Sequence, residues 1–238
     1  MGTCTLQVAT LTSKKSKQRA KVNPSIICPL CKSTKNKLLY KDQIREYLKC
    51  NSCEFIFVPT QFHLSESEEK LRYDTHNNDP KDPRYRQFLS QLSEPLMSLI
   101  PNPSVGLDFG CGPGPTLSLM LESEGHEVDL YDKFYVKDKS VFDKEFDFIT
   151  LTEVIEHLSN PISELEKLAL ALKPSGYIAI MTQIFQENQS FKKWYYKNDP
   201  SHIGFYNQKS LRFLANHLDL AINFYSDRVI FLQKLTKK

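Results

Sequence analysis

No apolar run in the 238-residue chain approaches the ~20 residues that a membrane-spanning helix needs. The first residues also lack the basic region, apolar run and small-residue cleavage site of a secretory leader. Met1-Gly2 opens like a myristoylation signal, but position six is Leu6, where that signal requires Ser or Thr. These absences point to a cytoplasmic protein with no membrane partner. Charge of one sign is missing too: 31 Lys and Arg against 28 Asp and Glu leave +3. That balance permits nucleic acid binding without demanding it. Tryptophan occurs once and glycine only eight times, and three of those glycines fall at alternate positions.

Cysteine is sparse as well, yet four of the six form two pairs, Cys28-Pro-Leu-Cys31 and Cys50-Asn-Ser-Cys53. Cys4 and Cys111 stand alone. In a reducing compartment this spacing indicates zinc rather than disulfides. Each knuckle aims two thiolates at one point, and two knuckles complete a tetrahedron. Short β-like runs lie at Leu38–Tyr40, Tyr47–Leu48 and Phe55–Val58, so residues 25–60 read as a small zinc ribbon. Four thiolates leave no open position, and the Zn2+ is expected to be structural. A redox dithiol pair is the alternative.

Residues 1–24 carry Lys14, Lys15, Lys17, Arg19 and Lys21 without periodicity and read as a flexible tail. A nucleic-acid arm is the less ordinary alternative. Residues 61–100 read as a linker and lid: a short helix over Ser65–Leu71, a loop, then helical spacing from Arg84 to Ile100 that Pro95 should kink or split. From Ser104 strands and helices alternate, which argues a parallel sheet covered on both faces. Strands are expected at Val105–Phe109, Glu127–Tyr131, Phe146–Leu151 and Tyr177–Thr182. Helices are expected at Pro115–Glu124, Glu153–Leu158, Pro161–Leu172 and Ser210–Leu218. A terminal antiparallel hairpin follows, Ala221–Tyr225 and Val229–Leu235. Only Asp132–Glu145 separates the second and third strands, so the sheet is abridged there. Gln183–Tyr206 is a long insert that holds the only tryptophan.

The centre of this pattern is Val105-Gly-Leu-Asp-Phe-Gly-Cys-Gly-Pro-Gly-Pro-Thr116: a strand ending near Asp108, a tight turn at Gly110, Gly112 and Gly114, then a helix. Glycines there let backbone N–H groups approach a ligand. Asp132 ends the next strand. A carboxylate offers acceptors only, which suits a pair of ribose hydroxyls. On the glycines alone, a nucleotide-binding domain for NAD fits equally.

Taken together, Asp108–Gly114, Tyr131-Asp132, the segment Phe146-Asp-Phe-Ile-Thr-Leu-Thr-Glu-Val-Ile-Glu-His-Leu158 and the turn Leu172-Lys-Pro-Ser-Gly176 resemble class I S-adenosylmethionine-dependent methyltransferases over about residues 70–238. Ser175 replaces the family's first glycine in that turn, and the shortened stretch after Asp132 is similar to one subgroup. The resemblance implies an α/β fold, a Rossmann-like doubly wound and mostly parallel sheet with an antiparallel C-terminal strand, at residues 101–238 behind the N-terminal ribbon. It implies S-adenosyl-L-methionine as cofactor. Gly110, Cys111 and Gly112 would approach its methionine and ribose, Asp108 its amino group and Asp132 its ribose. Gly114 completes the motif, and Thr152 and Glu153 would line the methyl-transfer face.

Methyl transfer from a sulfonium needs mostly positioning, with a base only where the acceptor must lose a proton. His202 in the insert is the candidate base, with Tyr196 and Tyr195 shaping the acceptor site; the plainer alternative is a loop pinned by aromatic packing. His157, four residues after Glu153 and on the same expected helix face, is a further candidate or a packed histidine. Tyr73 and His76 are lid candidates that would touch substrate. The expected function is methylation of O, N or C in a small or medium-sized acceptor. An RNA methyltransferase gripping RNA through the ribbon's Lys32, Lys35, Lys37, Lys41, Arg45 and Lys49 is the runner-up. A non-catalytic zinc-ribbon adaptor is the third reading.

Overall fold

The computed structural model describes residues 26–75 and 78–236. The expected tail over 1–24 and the lid candidate His76 lie outside them. The cysteine unit forms strands β1 (Asn36–Lys41), β2 (Glu46–Cys50) and β3 (Ile56–Phe57). Two helices follow. Helix α1 (Glu66–Tyr73) opens on a capping box, in which the Ser65 hydroxyl accepts from Glu68 N and Ser65 N donates to the Glu68 carboxylate. Helix α2 (Pro83–Met97) opens on Asp82, whose carboxylate accepts from Arg84 N, with Pro83 in the first turn. Pro95 neither splits nor ends α2: it sits in the last turn, where little helix remains for its missing N–H to disturb.

The main sheet then builds as β4 (Val105–Phe109), α3 (Thr116–Ser123), β5 (Glu127–Tyr131), β6 (Phe146–Thr152), α4 (Pro161–Leu170) and β7 (Leu172–Met181). Strand β7 starts five residues before Tyr177, because the Lys-Pro-Ser-Gly segment runs on as an irregular part of the strand with Ser175 at φ 65°. The insert after β7 carries β8 (Gly204–Phe205), then come α5 (Gln208–His217), β9 (Leu220–Phe224) and β10 (Val229–Lys234). Between β5 and β6 there is only an Asp132–Val136 bridge and a 3-10 turn at Lys139–Asp143, as the fourteen-residue span requires.

The six-stranded sheet has the order β5-β4-β6-β7-β10-β9. Strands β5, β4, β6 and β7 are parallel, and β10 runs antiparallel to both β7 and β9. The chain leaves β4 for β5 on one side and returns to β6 on the other, so the topological switch lies at the carboxyl end of β4. A ligand crevice belongs at that point. Helices α2 and α3 cover one face through Leu89, Leu92, Leu96, Leu117 and Leu121, against Phe148, Met181 and Phe231.

Strand β8 lies in the insert, where the sequence predicts no strand. Its residues pair antiparallel with β3 of the cysteine unit, Ile56 with Phe205 and Phe57 with Gly204. The small sheet is therefore β1-β2-β3-β8, its fourth strand donated by the half that carries the six-stranded sheet. The two halves also share apolar cores. Cys28, Leu30, Leu48, Phe55 and Phe57 belong to the same buried cluster as Leu107, Ile149 and Leu165. Tyr47, Ile56 and Val58 pack with Phe191, Trp194, Tyr196 and Phe205 of the insert in another. At about 25 cal/mol per Å2 of apolar surface removed from water, rings of this size each contribute a few kcal/mol to keeping the ribbon in place.

Candidate active site

A cavity of about 760 Å3 lies over the carboxyl ends of β4, β5 and β6. Its floor is the glycine turn. Gly110 and Gly112 have φ of 79° and 65°, backbone that a side chain would strain. A Cβ at Gly110 would stand 2.5 Å from Val154 Cγ2, and one at Gly114 only 2.4 Å from the Asn78 carbonyl oxygen. The turn's N–H groups are not turned toward a ligand as expected. Gly110 N and Cys111 N both donate to Tyr131 O, at 2.7 and 3.2 Å, and Gly112 N donates to Asp132 Oδ2 at 3.1 Å. These bonds tie β4 to the end of β5, so the turn offers shape and room.

Both acids predicted for the donor side line this cavity. Asp108 is buried, and Thr150 Oγ1 donates to its Oδ1 at 2.8 Å. Burial pushes its pKa up to about 6, further raised by the charge of Asp132 and partly offset by Thr150. Asp132 Oδ1 accepts from Phe134 N and Tyr135 N, which fixes the carboxylate at the cavity edge. Cys111 sits among the glycines with burial pushing its thiol up to about 12, so it is inert packing rather than a nucleophile. Asn78, which folds its backbone over Gly114 and accepts from Thr116 Oγ1, was missed in the sequence. No motif marks it.

The predicted acceptor-side residues also meet here, with several more. Glu153 is not on a helix. It sits at φ 53°, and only a 3-10 turn at Ile155–His157 follows, so the helical i,i+4 relation to His157 does not exist. The strained turn aims Glu153 into the cavity while Glu156 goes fully inside. Tyr196 bridges them: its hydroxyl donates to Glu156 Oε1 by a very short bond and lies 3.0 Å from Glu153 Oε2. Thr182 Oγ1 donates to Glu156 Oε2 at 3.0 Å. Burial raises both carboxyls, Glu156 well above its ordinary value with the Glu153 charge adding to the effect. Thr152 Oγ1 and Glu153 Oε1 are buried with no hydrogen-bond partner among the described residues, and both residues line the cavity.

His157 and His202 stand edge to face, ring centroids 4.7 Å apart. His157 Nδ1 bonds the Ser201 carbonyl at 2.9 Å and His202 Nδ1 the Tyr196 carbonyl at 2.8 Å. A carbonyl only accepts, so each Nδ1 carries the proton and each Nε2 keeps its lone pair. Burial lowers both pKa values, that of His157 to about 3 with its neighbour His202 contributing, so both rings are neutral. A Glu156 oxygen and one nitrogen of each ring lie within 4.8 Å of one another.

Helix α1 roofs the cavity. Tyr73 lines it, edge-on to His157 at 5.3 Å and bonded to Glu69. Arg72 pairs with Asp199 at 2.8 Å and Glu69 with Lys133 at 2.6 Å, which ties the roof to the insert and to the end of β5. Burial pushes Asp199 up, but hydrogen bonds from Arg72 and Ser201 outweigh it and hold the carboxyl well below its usual range. Tyr195 lies at the rim, 65% exposed and bonded to Gln183.

The four paired cysteines converge at the far end of the ribbon. Cys28 and Cys53 Sγ are 3.7 Å apart, Cys31 and Cys50 3.4 Å, and all four sulfurs fall within 4.8 Å of one another. A tetrahedral zinc at ~2.3 Å from each thiolate sets its sulfurs about 3.8 Å apart, so the residues fit that ion.

The strand order, the reversed β10 and the acid-flanked glycine turn together define the class I S-adenosylmethionine-dependent methyltransferase fold. A family model described as methyltransferase domain matches residues 76–223. The chain belongs to that family. A ubiquinone biosynthesis O-methyltransferase from Histophilus somni is 28% identical over 93 residues, 37% of this chain and 37% of that protein. The chain thus matches little more than a third of that relative's length. Among solved structures, an O-methyltransferase family protein from Burkholderia thailandensis superposes with a TM-score of 0.53 at 12% identity, covering 74% of this chain and 62% of the other. The 1,6-didemethyltoxoflavin-N1-methyltransferase of the same organism superposes at 0.51 with 14% identity, covering 84% and 99%. At these identities the structural matches establish the fold alone.

Proposed function

We propose that the chain transfers the methyl group of S-adenosyl-L-methionine to an O, N or C atom of a small or medium-sized acceptor, with a hydroxyl oxygen the favoured target. The observation that carries this reading is one roofed cavity holding the glycine turn and its two acids on one side and two neutral, lone-pair-bearing imidazoles on the other. Its 760 Å3 falls in the ordinary range for small-molecule sites, about 300–1,000 Å3. The names of the curated relative and of one superposed structure, both O-methyltransferases, support the acceptor class.

The residues fit the cofactor: Gly110, Gly112 and Gly114 line the cavity with backbone alone, Asp108 is a buried acid suited to an ammonium, and Asp132 a fixed acceptor suited to ribose. Thr152 Oγ1 and Glu153 Oε1, which have no hydrogen-bond partner among the described residues, add two polar atoms at the methyl-transfer face. Bound S-adenosylmethionine supplies an electrophilic methyl on a sulfonium. Gly110, Cys111, Gly112 and Gly114 shape its cradle, and the roof of Tyr73 and Arg72 excludes water. His202 Nε2 accepts the acceptor's hydroxyl proton, with His157 Nε2 beside it as the second lone pair. Tyr196 orients the acceptor side through its bonds to Glu153 and Glu156, and Tyr195 guards the rim. A Zn2+ held by Cys28, Cys31, Cys50 and Cys53 is structural, because four thiolates close the coordination shell.

The RNA reading has less support. Arg45 is buried against the insert, and Lys41 and Lys49 pair with Glu46 and Glu54, so half of the ribbon's basic residues are engaged within the chain. Calorimetric titration with S-adenosylmethionine, followed by a hydroxylated-metabolite screen for labelled methyl incorporation, tests the proposal. Wild-type protein that binds no S-adenosylmethionine overturns it.

A further inference from the structure

Arg45 lies in the turn between β1 and β2, on the ribbon, more than 100 residues in sequence from His157, Tyr196 and His202 of the cavity. Its side chain is buried, and its guanidinium donates to four backbone carbonyls of the insert. Nη1 reaches Pro200 O at 2.9 Å and His202 O at 3.1 Å; Nη2 reaches Lys197 O at 2.5 Å and Asp199 O at 3.1 Å. Tyr47 Oη adds a bond to Lys197 O at 3.2 Å. Those carbonyls belong to the loop between Tyr196 and His202, which also supplies Asp199 to Arg72. Val58 N bonds Ile203 O at 2.9 Å, and Ile203 N bonds Glu156 O at the same distance. One planar cation thus gathers the carbonyls of an irregular loop that has no ladder of its own to satisfy them. A fork with five donors can do this, and a lysine ammonium cannot reproduce its geometry.

We propose that Arg45 is a positioning residue for the acceptor side of the site: it holds the backbone of residues 197–202 in the curve that seats His202 Nδ1 on Tyr196 O and leaves Nε2 for the acceptor. The inference deepens the methyltransferase reading and rests on it for the meaning of His202, but not for its own test. The donor side owes nothing to Arg45, since the glycine turn, Asp108 and Asp132 are fixed by β4, β5 and β6.

The charges around His202 give a readout. Burial is the main influence that lowers its pKa, helped by Arg45 and Arg72; Asp199 and the bond to Tyr196 O act the other way. His157 and Tyr196 are its ring neighbours, and a Glu156 oxygen lies within 4.8 Å of one of its ring nitrogens. Removing Arg45 takes away one cation and opens the loop to water, and both changes raise the His202 pKa.

The test is Arg45→Gln in the full zinc-loaded chain, read by ring-nitrogen NMR of the histidines across pH, with His217 on α5 as the control. The expected result is loss of the pure Nδ1–H tautomer of His202 and an upward move of its titration toward the ordinary ~6.5. Amides of Ile203 and Val58 should lose roughly tenfold or more in exchange protection. Zinc content and the S-adenosylmethionine dissociation constant should stay within about twofold of wild type. Unchanged tautomer and titration of His202 in the folded variant overturn the proposal, and so does an equal loss of donor affinity. If Arg45→Gln does not fold, Arg45→Lys keeps the stem and the charge but not the fork, and the same two outcomes decide. None of these readouts needs an acceptor or methyl transfer, so a failed acceptor search leaves the test standing.

Discussion

The two sides of the cavity are built by opposite means. The donor side is local: Asp108 through Gly114 are consecutive, and Asp132 stands at the end of the adjacent strand. Each position follows from a strand entering a turn. The acceptor side is assembled from afar. His202, Tyr196 and Asp199 come from an insert that carries only 3-10 turns and the two-residue β8. Their places are set by Arg45, β3 and Arg72, each more than 120 residues away in the chain for its contact. A local site survives changes elsewhere in the fold, whereas a site assembled from distant parts inherits the weaknesses of each part. Donor binding and acceptor geometry should therefore fail separately.

Removal of zinc should have the largest effect. Structural zinc contributes on the order of 10 kcal/mol to folding of such units. Chelation, or Cys50→Ser, should strip amide protection first from the ribbon and from residues 197–206, ahead of β4 and β5. Simultaneous loss everywhere, seen by hydrogen exchange, would mean that the two sides of the cavity fail as one unit. Next comes Asp132→Ala. Losing two charge-assisted bonds to ribose, at about 1.5–3 kcal/mol each, should weaken donor binding by roughly a hundredfold or more in calorimetry. The His202 tautomer should not move.

A third test uses pH. Asp108 has a pKa pushed up to about 6, and an ammonium ligand favours its ionised form. Donor affinity should be flat above pH 6 and fall about tenfold per unit well below it, because binding must then expel a proton. Asp108→Asn should weaken binding and abolish that dependence. The smallest effect sharpens the other side. The folded-state pKa of Glu156 is raised, so its proton is bound more tightly folded than unfolded. Its contribution is present below the unfolded value near 4.5 and is lost as pH rises toward the folded value. Glu156→Gln, neutral at every pH, should leave stability near pH 4 unchanged and raise it at pH 8, measured by denaturant melts.

The same contrast decides what the sequence discloses. Alternating strand and helix patterns, the glycine turn and Asp132 are short-range signals, and the fold reads directly from them. So does the pairing of the two cysteine knuckles, because the spacing itself is the chemistry. Glu153 and His157 were legible as residues but not as geometry: an apolar-acidic pattern that suits a helix resolves into a left-handed residue and a single 3-10 turn. Arg45 sits among five lysines and reads as surface charge, since nothing local says that its partners are carbonyls 150 residues on. Two residues of β8 carry too little pattern to announce a strand. Asn78 has no motif and acts through its backbone.

The pairing of β3 with β8 has a consequence for how the chain is made. Ile56 and Phe57 leave the ribosome about 150 residues before Gly204 and Phe205 do. At ~5–20 residues per second, that delay is of the order of 10–30 s. Throughout it the nascent ribbon has a bare strand edge and no cover for the apolar rings of Tyr47 and Phe55. The ribbon, synthesised before the strand that closes its sheet, is completed only when that strand emerges, and during that interval a holding partner or slow synthesis would protect it.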